Sequence, residues 1–319
     1  MALGIAASTL ADAQSAATSF RVGWLSPSSP QAGANQGAVE FLNGLRDLGY
    51  VEGRNVTIEY RYANGNIERL PELAADLVRL KVDIIVTSGE PAAFAAKRAS
   101  ATIPIVATEF GLDPVSTGLV ASLGRPGGNL TGLATISEEL WQKRLALLKE
   151  VSPRFVRIAV LWNPANPGSA SCLKEIQASA RTLGVQPRPH EVRDARSLER
   201  AFADMARDAP DALVACWDGV TLELARPVAD FALQKKLPTM AEIKEYARAG
   251  FLLSFGTSLS SHRRRSAYYV DRILKGAKPA DLPVERPTLF ELIINGGTAK
   301  TLGLAIPAAI GLQADEVFP

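Results

Sequence analysis

One local pattern occurs in both halves of the chain, and it constrains the fold more than composition does. A short apolar run ends in a polar break, and a helix-forming stretch starts at that break. In the first half, Val82-Asp83-Ile84-Ile85-Val86-Thr87-Ser88-Gly89-Glu90-Pro91 leads into an alanine-rich run ending at Ala99. In the second, Arg157-Ile158-Ala159-Val160-Leu161-Trp162-Asn163-Pro164-Ala165-Asn166-Pro167 leads into a helical stretch ending near Leu183. Apolar runs without alternation suit strands covered on both faces, as in parallel sheets flanked by helices. Such sheets bind ligands beyond the carboxyl ends of their strands, where helix N-termini present free N–H groups. Two such halves imply an α/β chain of two lobes, with a cleft between them that takes something small.

The rest of the chain alternates in the same way. Strands are expected at Phe20–Ser26, Val56–Tyr60, Ile103–Ala107, Val185–Glu191 and Ala212–Trp217, with helices between them. Helices Glu138–Glu150 and Ser260–Lys275 and strands Gly250–Phe255 and Phe290–Asn295 complete the pattern. The last two strands have little around them, which suits a backbone that passes between lobes more than once. A length of 319 residues is large for one core and enough for two lobes of roughly 130–150 residues. A net charge of +2 gives no general attraction to nucleic acid or to an anionic membrane. No apolar run reaches the roughly 18 residues of a membrane-spanning helix.

Met1 to Ala17 is rich in Ala, Ser and Leu, with small-x-small signatures at Ala11-Asp12-Ala13 and Ser15-Ala16-Ala17 and a weak apolar stretch from Leu3 to Leu10. It reads as the end of a secretory signal peptide, so residues 1–19 are expected to be a leader and the mature protein is expected to be periplasmic. No Lys or Arg precedes Arg21. A start codon assigned too far downstream accounts for this, a disordered cytoplasmic N-terminus being the alternative. The two cysteines, Cys172 and Cys216, are expected to be buried free thiols, although an oxidising compartment permits a disulfide.

Several stretches share the wording of one family: Leu48-Gly49-Tyr50-Val51-Glu52-Gly53-Arg54-Asn55, Leu70-Pro71-Glu72-Leu73-Ala74, Gly124-Arg125-Pro126-Gly127-Gly128-Asn129-Leu130-Thr131-Gly132, Val160-Leu161-Trp162-Asn163-Pro164-Ala165-Asn166-Pro167, and Ile273-Leu274-Lys275-Gly276-Ala277-Lys278-Pro279-Ala280-Asp281-Leu282-Pro283-Val284-Glu285. In order from about Phe20 to the C-terminus, the chain resembles ABC-transporter substrate-binding proteins of the tryptophan/tyrosine-uptake type. The resemblance implies a type I periplasmic-binding fold: two lobes, each a parallel sheet flanked by helices, joined by three hinge crossings. It also implies no catalysis, and delivery of a small-molecule ligand to an ABC permease. No cofactor and no metal are expected, and a monomer is the default. Lobe 1 is expected over 20–130 with 256–282 and lobe 2 over 131–255 with 283–319, the hinge lying near Thr131-Gly132, Ser254-Phe255 and Pro283–Arg286. The chain departs from the family in two places. Between Pro104-Ile105-Val106 and Asp113-Pro114 it carries one residue more than usual, and Asn295-Gly296-Gly297-Thr298 replaces a bulkier stretch.

Candidate ligand groups are the polar breaks at strand ends: Ser26, Ser28, Ser88, Gly89, Glu90, Thr108, Glu109 and Phe110 from the first half, and Asn163, Asn166, Trp217, Asp218 and Glu242 from the second. Free N–H groups at helix starts suit a ligand carboxylate, with Ser88 and Thr108 as hydroxyl donors. Asp218, Glu109 or Glu242 suits an ammonium, and Phe110 and Trp217 suit an apolar or aromatic body. Asp218 is the sharpest candidate, because a carboxylate directly after a buried strand needs solvent or a partner. The bland alternatives are helix caps for Ser88, Asn163 and Asn166, core packing for Phe110 and Trp217, and a surface position for Glu242. The run His262-Arg263-Arg264-Arg265 is expected to be a solvated helix face, with permease docking as the alternative. The expected ligand is an aromatic or branched amino acid, or an aromatic carboxylic acid.

Rival functions find little support. His190 and His262 are the only histidines, far from the strand-end clusters, and Walker, Gly-x-Gly-x-x-Gly, His-Glu-x-x-His and Gly-x-Ser-x-Gly signatures are missing. An enzyme would therefore need carboxylate-only chemistry. A repressor core would carry a basic helix-turn-helix headpiece, and no basic residue precedes the first strand. A ligand-sensing domain for a membrane receptor is the main alternative.

Overall fold

A computed structural model describes residues 19–30, 35–135 and 140–319. The leader expected over 1–19 and the start of the helix expected at Glu138 lie outside the described residues, Ser19 apart.

The first sheet has five strands in the order β2-β1-β3-β4-β5: β1 Phe20–Ser26, β2 Val56–Tyr62, β3 Ile84–Thr87, β4 Ile105–Phe110 and β5 Leu130–Ala134. All its pairings are parallel. Strands β3, β4 and β5 are buried along their whole length, as their unalternating apolar runs require. Helices α1 (Asn35–Asp47), α2 (Leu70–Arg79) and α3 (Gly89–Ala99) follow β1, β2 and β3. One face packs Val22, Trp24, Ile84 and Val86 against Phe41 and Leu45 of α1. The other packs Leu25, Ile85, Ile105 and Ala107 against Leu70, Ala74, Leu77 and the alanines of α3.

The second sheet has seven strands in the order β12-β11-β10-β9-β8-β6-β7: β6 Arg157–Trp162, β7 Gln186–Glu191, β8 Ala212–Ala215, β9 Thr239–Ala241, β10 Leu253–Thr257, β11 Phe290–Asn295 and β12 Glu316–Phe318. Its pairings are parallel except that of β10 with β11, so β11 and β12 run opposite to the other strands. The tail strands are thus built into this sheet rather than isolated, because β11 pairs with both β10 and β12. Its helices are α4 (Trp141–Val151), α5 (Pro167–Leu183), α6 (Ala195–Asp208), α7 (Gly219–Glu223), α8 (Ala225–Gln234) and α9 (Lys244–Ala249). Helix α10 (Leu259–Leu274) follows β10 but packs on the first sheet, placing Tyr269 and Val270 in the core with Val22 and Trp24.

The backbone therefore passes between the sheets three times, after β5, after β10 and before β11. These passages lie side by side: Ala134 N–H donates to the Glu285 carbonyl at 2.8 Å, and Thr257 Oγ1 donates to the Thr135 carbonyl at 3.0 Å. Thr131-Gly132 lies inside β5 and Ser254-Phe255 inside β10, so those crossings come about three residues later than the sequence pattern indicates. Gly132 is locked where it stands, with a φ of +145° and with space for a Cβ only 2.1 Å from the Ala107 carbonyl.

Two expectations are corrected. Cys172 and Cys216 form a disulfide, because the second turn of α5 lies over the end of β8. Of the run expected on a solvated face, His262 and Arg263 are buried, Arg263 in the lining of the cavity between the sheets. Arg264 and Arg265 are exposed and pair with Asp47 and Glu285. Burial lowers the His262 imidazole to about 4, so it is neutral at pH 7.

Candidate functional site

The carboxyl ends of β1, β3, β6, β8 and β9 converge on one cavity between the sheets. It is lined from the first-sheet side by Pro27, Ser28, Ser88, Gly89 and Glu90, and from the second by Asn166, Trp217, Asp218, Leu222 and Glu242. Its volume is about 50 Å³, counted over positions a water centre can occupy, which is room for several waters or a small molecule. Both sides touch around it: Ser29 N–H donates to Glu223 Oε1 at 2.7 Å. A Cβ on Gly168 at the start of α5 would stand 3.3 Å from Glu90 Oε2.

Asp218 caps α7, accepting from Val220 N–H at 2.8 Å and Thr221 N–H at 3.4 Å. Its Oδ1 also accepts from Asn163 Nδ2 at 3.0 Å, and its Oδ2 from Asn166 Nδ2 at 2.8 Å. Oδ1 is therefore fully engaged, whereas Oδ2 retains a lone pair toward the cavity. Asn166 in turn caps α5 by accepting from Gly168 N–H at 3.0 Å. Asn163 does not cap a helix; its Oδ1 accepts from Ala165 N–H at 3.0 Å, and it supports Asp218 from behind. Two strand ends are thus joined by one polar network that fixes the carboxylate before any ligand arrives.

On the opposite wall Ser88 occupies the cap position of α3 without capping it. Its hydroxyl instead donates to Glu109 Oε1 at 2.7 Å, and Thr108 donates to the other oxygen. Thr108 and Glu109 therefore stand behind Ser88 and do not line the cavity. Glu90 is buried, with Oε1 accepting from Leu112 N–H at 2.6 Å. Burial pushes its carboxyl up to about 7, against the downward pull of N–H groups at Leu112, Glu90 and Gly111. Glu242 accepts from Trp217 N–H at 2.9 Å and faces the buried Arg144 guanidinium at 3.8 Å. Burial lowers Arg144 to about 10, with Glu242 opposing the change, so Arg144 keeps its charge at neutral pH.

Of the sequence candidates, Ser28, Ser88, Gly89, Glu90, Asn166, Trp217, Asp218 and Glu242 meet at this cavity. Ser26 sits one layer back, accepting from Ser28 N–H at 3.3 Å. Phe110 does not reach the cavity: its ring is in the core of the first sheet, because the strand is buried on both faces there.

The family model for ABC transporter substrate binding proteins matches residues 33–318. The chain belongs to that family. A tyrosine-binding protein of Clostridioides difficile is 26% identical to the binding protein over 264 residues, 83% of this chain and 75% of the relative. A conserved domain protein of Vibrio cholerae superposes with a TM-score of 0.87 at 28% identity, over 94% of this chain and 100% of that one. An ABC domain from Streptococcus pneumonia in complex with L-Trp superposes with a TM-score of 0.86 at 24% identity, again over 94% and 100%. The type I periplasmic-binding fold of the binding protein follows from these together.

Two stretches singled out in the sequence have a structural counterpart in this binding protein. In the first, the register of β4 against β5 shifts between Ala107 and Phe110. A bulge of that kind re-aims a side chain, and here Glu109 meets Ser88. Asn295 caps α11 (Gly296–Leu302), accepting from Thr298 N–H at 2.8 Å, remote from the cavity. Sequence reasoning missed Pro27, Pro91, Gly168, Leu222 and Arg263, all of which line the cavity. Neither histidine lines the cavity. The missed signal was periodicity: Arg263 falls on the α10 stripe with Leu259, Ser266, Ala267 and Val270, all buried.

Proposed function

We propose that this binding protein captures an α-amino acid with a ring-bearing side chain in the cleft, releases it unchanged to an ABC permease, and works as a monomer outside the cytoplasm. One observation carries the choice of ligand. The cavity lining holds three carboxyl groups, Glu90, Asp218 and Glu242, the first of them raised to about 7, against one guanidinium, Arg263. An anionic ligand without an ammonium would meet that excess with no compensating charge, and buried carboxylates reject it. An ammonium is instead well placed at Asp218 Oδ2, with its three protons available to carboxylate oxygens. Pro27, Pro91, Leu222 and Trp217 supply apolar and aromatic surface for a ring. The relatives described as binding tyrosine and L-Trp support the same class.

The disulfide supports residence in an oxidising compartment. Among the described residues no helix is long and apolar enough to cross a membrane. The two sheets would act as lobes that close on the ligand, since only the closed form contacts it from both sides. Calorimetry of the stripped protein tests the reading with L-tryptophan, L-tyrosine and L-leucine beside the des-amino analogue indole-3-propionate. Binding of the aromatic amino acids, with the analogue weaker by at least about 100-fold, is the expected result. Equal affinity for the analogue would sink the amino-acid reading.

A further inference from the structure

Arg263 stands on α10, which packs on the first sheet, and reaches across to Glu245 of α9 on the second, with Nη1 3.6 Å from Oε1. Its side chain is only 5% exposed. It lines the ligand cavity, yet its Nε has no hydrogen-bond partner. A buried donor on a charged group that makes no bond is costly, and such a group at a ligand cavity calls for an acceptor that arrives with the ligand. Two nearby acidic groups are engaged elsewhere. Glu245 faces Nη1, and Glu242 is held by Trp217 N–H and faces Arg144.

Helix N-termini are weaker candidates for the same task. The Gly168 N–H of α5 is engaged by the Asn166 side chain, and the Glu90 N–H of α3 bonds its own carboxylate. A guanidinium, by contrast, offers a carboxylate two parallel N–H donors in a fixed fork.

We infer that Arg263 is the residue that receives the ligand's carboxylate, through its guanidinium, and so sets the selectivity for free acids over their amides and esters. The inference rests on the amino-acid reading of the cavity and adds the ligand's orientation. The carboxylate points to α10 and the ammonium to Asp218, so one zwitterion spans both sides of the cleft. Glu245 positions the guanidinium by holding its Nη1 end and does not contact the ligand.

The test compares L-tryptophan, L-tryptophanamide and indole-3-propionate on the wild type, Arg263→Gln, Arg263→Lys and Glu245→Gln, each checked for folding by near-ultraviolet circular dichroism. In the wild type, L-tryptophan should bind at least about 100-fold tighter than its amide. Arg263→Gln should bring the two within about threefold, and Arg263→Lys, which keeps the charge but loses the fork, should fall between. Glu245→Gln should keep the preference even if both affinities drop. Equal wild-type affinity for acid and amide, or a preference that survives Arg263→Gln, would overturn the role of Arg263 while leaving the amino-acid reading intact. The wild-type comparison decides this even if Arg263→Gln fails to fold. Indole-3-propionate binding as tightly as L-tryptophan, with the loss confined to Arg263→Gln, would overturn the amino-acid reading and keep Arg263. Failure of all three ligands on the stripped wild type would overturn both.

Discussion

Glu90 is a residue whose environment conflicts with its chemistry. Buried in the first turn of α3, its carboxyl is raised from 4.5 to about 7, chiefly by desolvation, with Glu109 adding a smaller push in the same direction. The folded protein therefore holds this proton more tightly than the unfolded chain. The associated stability is fully present below pH 4.5 and is lost as pH rises through 7. A span of that size corresponds to at most about 3 kcal/mol. Glu90→Gln removes the titration, so wild-type stability relative to this variant should fall between pH 5 and pH 8, as read by urea unfolding at each pH. Contributions from other groups, such as the raised Glu291 and the lowered His262, are common to both proteins and cancel. Parallel pH profiles for the two proteins would show that Glu90 does not titrate in this range. A bound ammonium favours ionised Glu90, so affinity for an amino acid should change in the opposite sense, rising from pH 6 to pH 8 with proton release. Calorimetry in buffers of different ionisation enthalpy measures that release directly.

At the scale of elements, the second-sheet wall of the site is two helix starts tied together. Asn166 begins α5 and Asp218 begins α7, and a hydrogen bond of 2.8 Å joins them. The Cys172–Cys216 disulfide makes the same connection covalently, a few residues along from each. Breaking it leaves the hydrogen bonds as the remaining tie between the two helix starts. The Cys172→Ser, Cys216→Ser double variant should lose about 2–4 kcal/mol of stability and also bind ligand more weakly, because Asp218 is then held by hydrogen bonds alone. Thermal unfolding and calorimetry on reduced and oxidised wild type check the same point without mutation. Unchanged affinity on reduction would show that the hydrogen-bonded network alone holds the wall. These elements also show what a sequence makes visible. Strands such as Ile84–Thr87 and Arg157–Trp162 were legible because burial on both faces leaves unbroken apolar runs, and the helix starts followed from Ser88 and Asn166. Strand β9 (Thr239–Ala241) and helix α9 are too short to carry a period. The disulfide depends on how α5 lies over β8, which no spacing encodes. Arg263 was hidden because its stripe of buried residues on α10 is interrupted by charge. Phe110 falls in the core rather than the cleft because β4 is buried on both faces there, which an apolar run alone does not reveal.

For the whole molecule, the question is what holds the two sheets together around the cavity. The three passages between them, at Thr135, Thr257 and Glu285, lie side by side and leave rotation about that line as the easy motion. Away from the hinge, closure depends on contacts that only the closed form makes. Glu223 on α7 accepts Ser29 N–H at 2.7 Å, and its second oxygen lies 3.1 Å from where a Cβ on Gly65 would be. Both partners belong to loops that follow strands of the first sheet, and Glu223 is not part of the ligand cavity lining. It lines a separate hollow at the mouth of the cleft, with Asn66, Glu68, Arg193 and Asp194. A hydrogen bond to a charged acceptor is worth about 1.5–3 kcal/mol, and a half-buried one falls at the low end. Glu223→Ala should therefore shift the open–closed balance by about tenfold and weaken every ligand by that same factor. Selectivity among ligands should not change, because no ligand contact is lost. The loss should reside in dissociation, since association begins from the open form. Stopped-flow fluorescence of Trp217 gives both rate constants, and small-angle scattering of the ligand-free variant gives the degree of opening. A tenfold faster dissociation with a larger radius of gyration is the expected pair of results. A change in the ranking of ligands would instead place Glu223 in the binding site, and an unaltered dissociation rate would mean that the ligand alone holds the cleft shut.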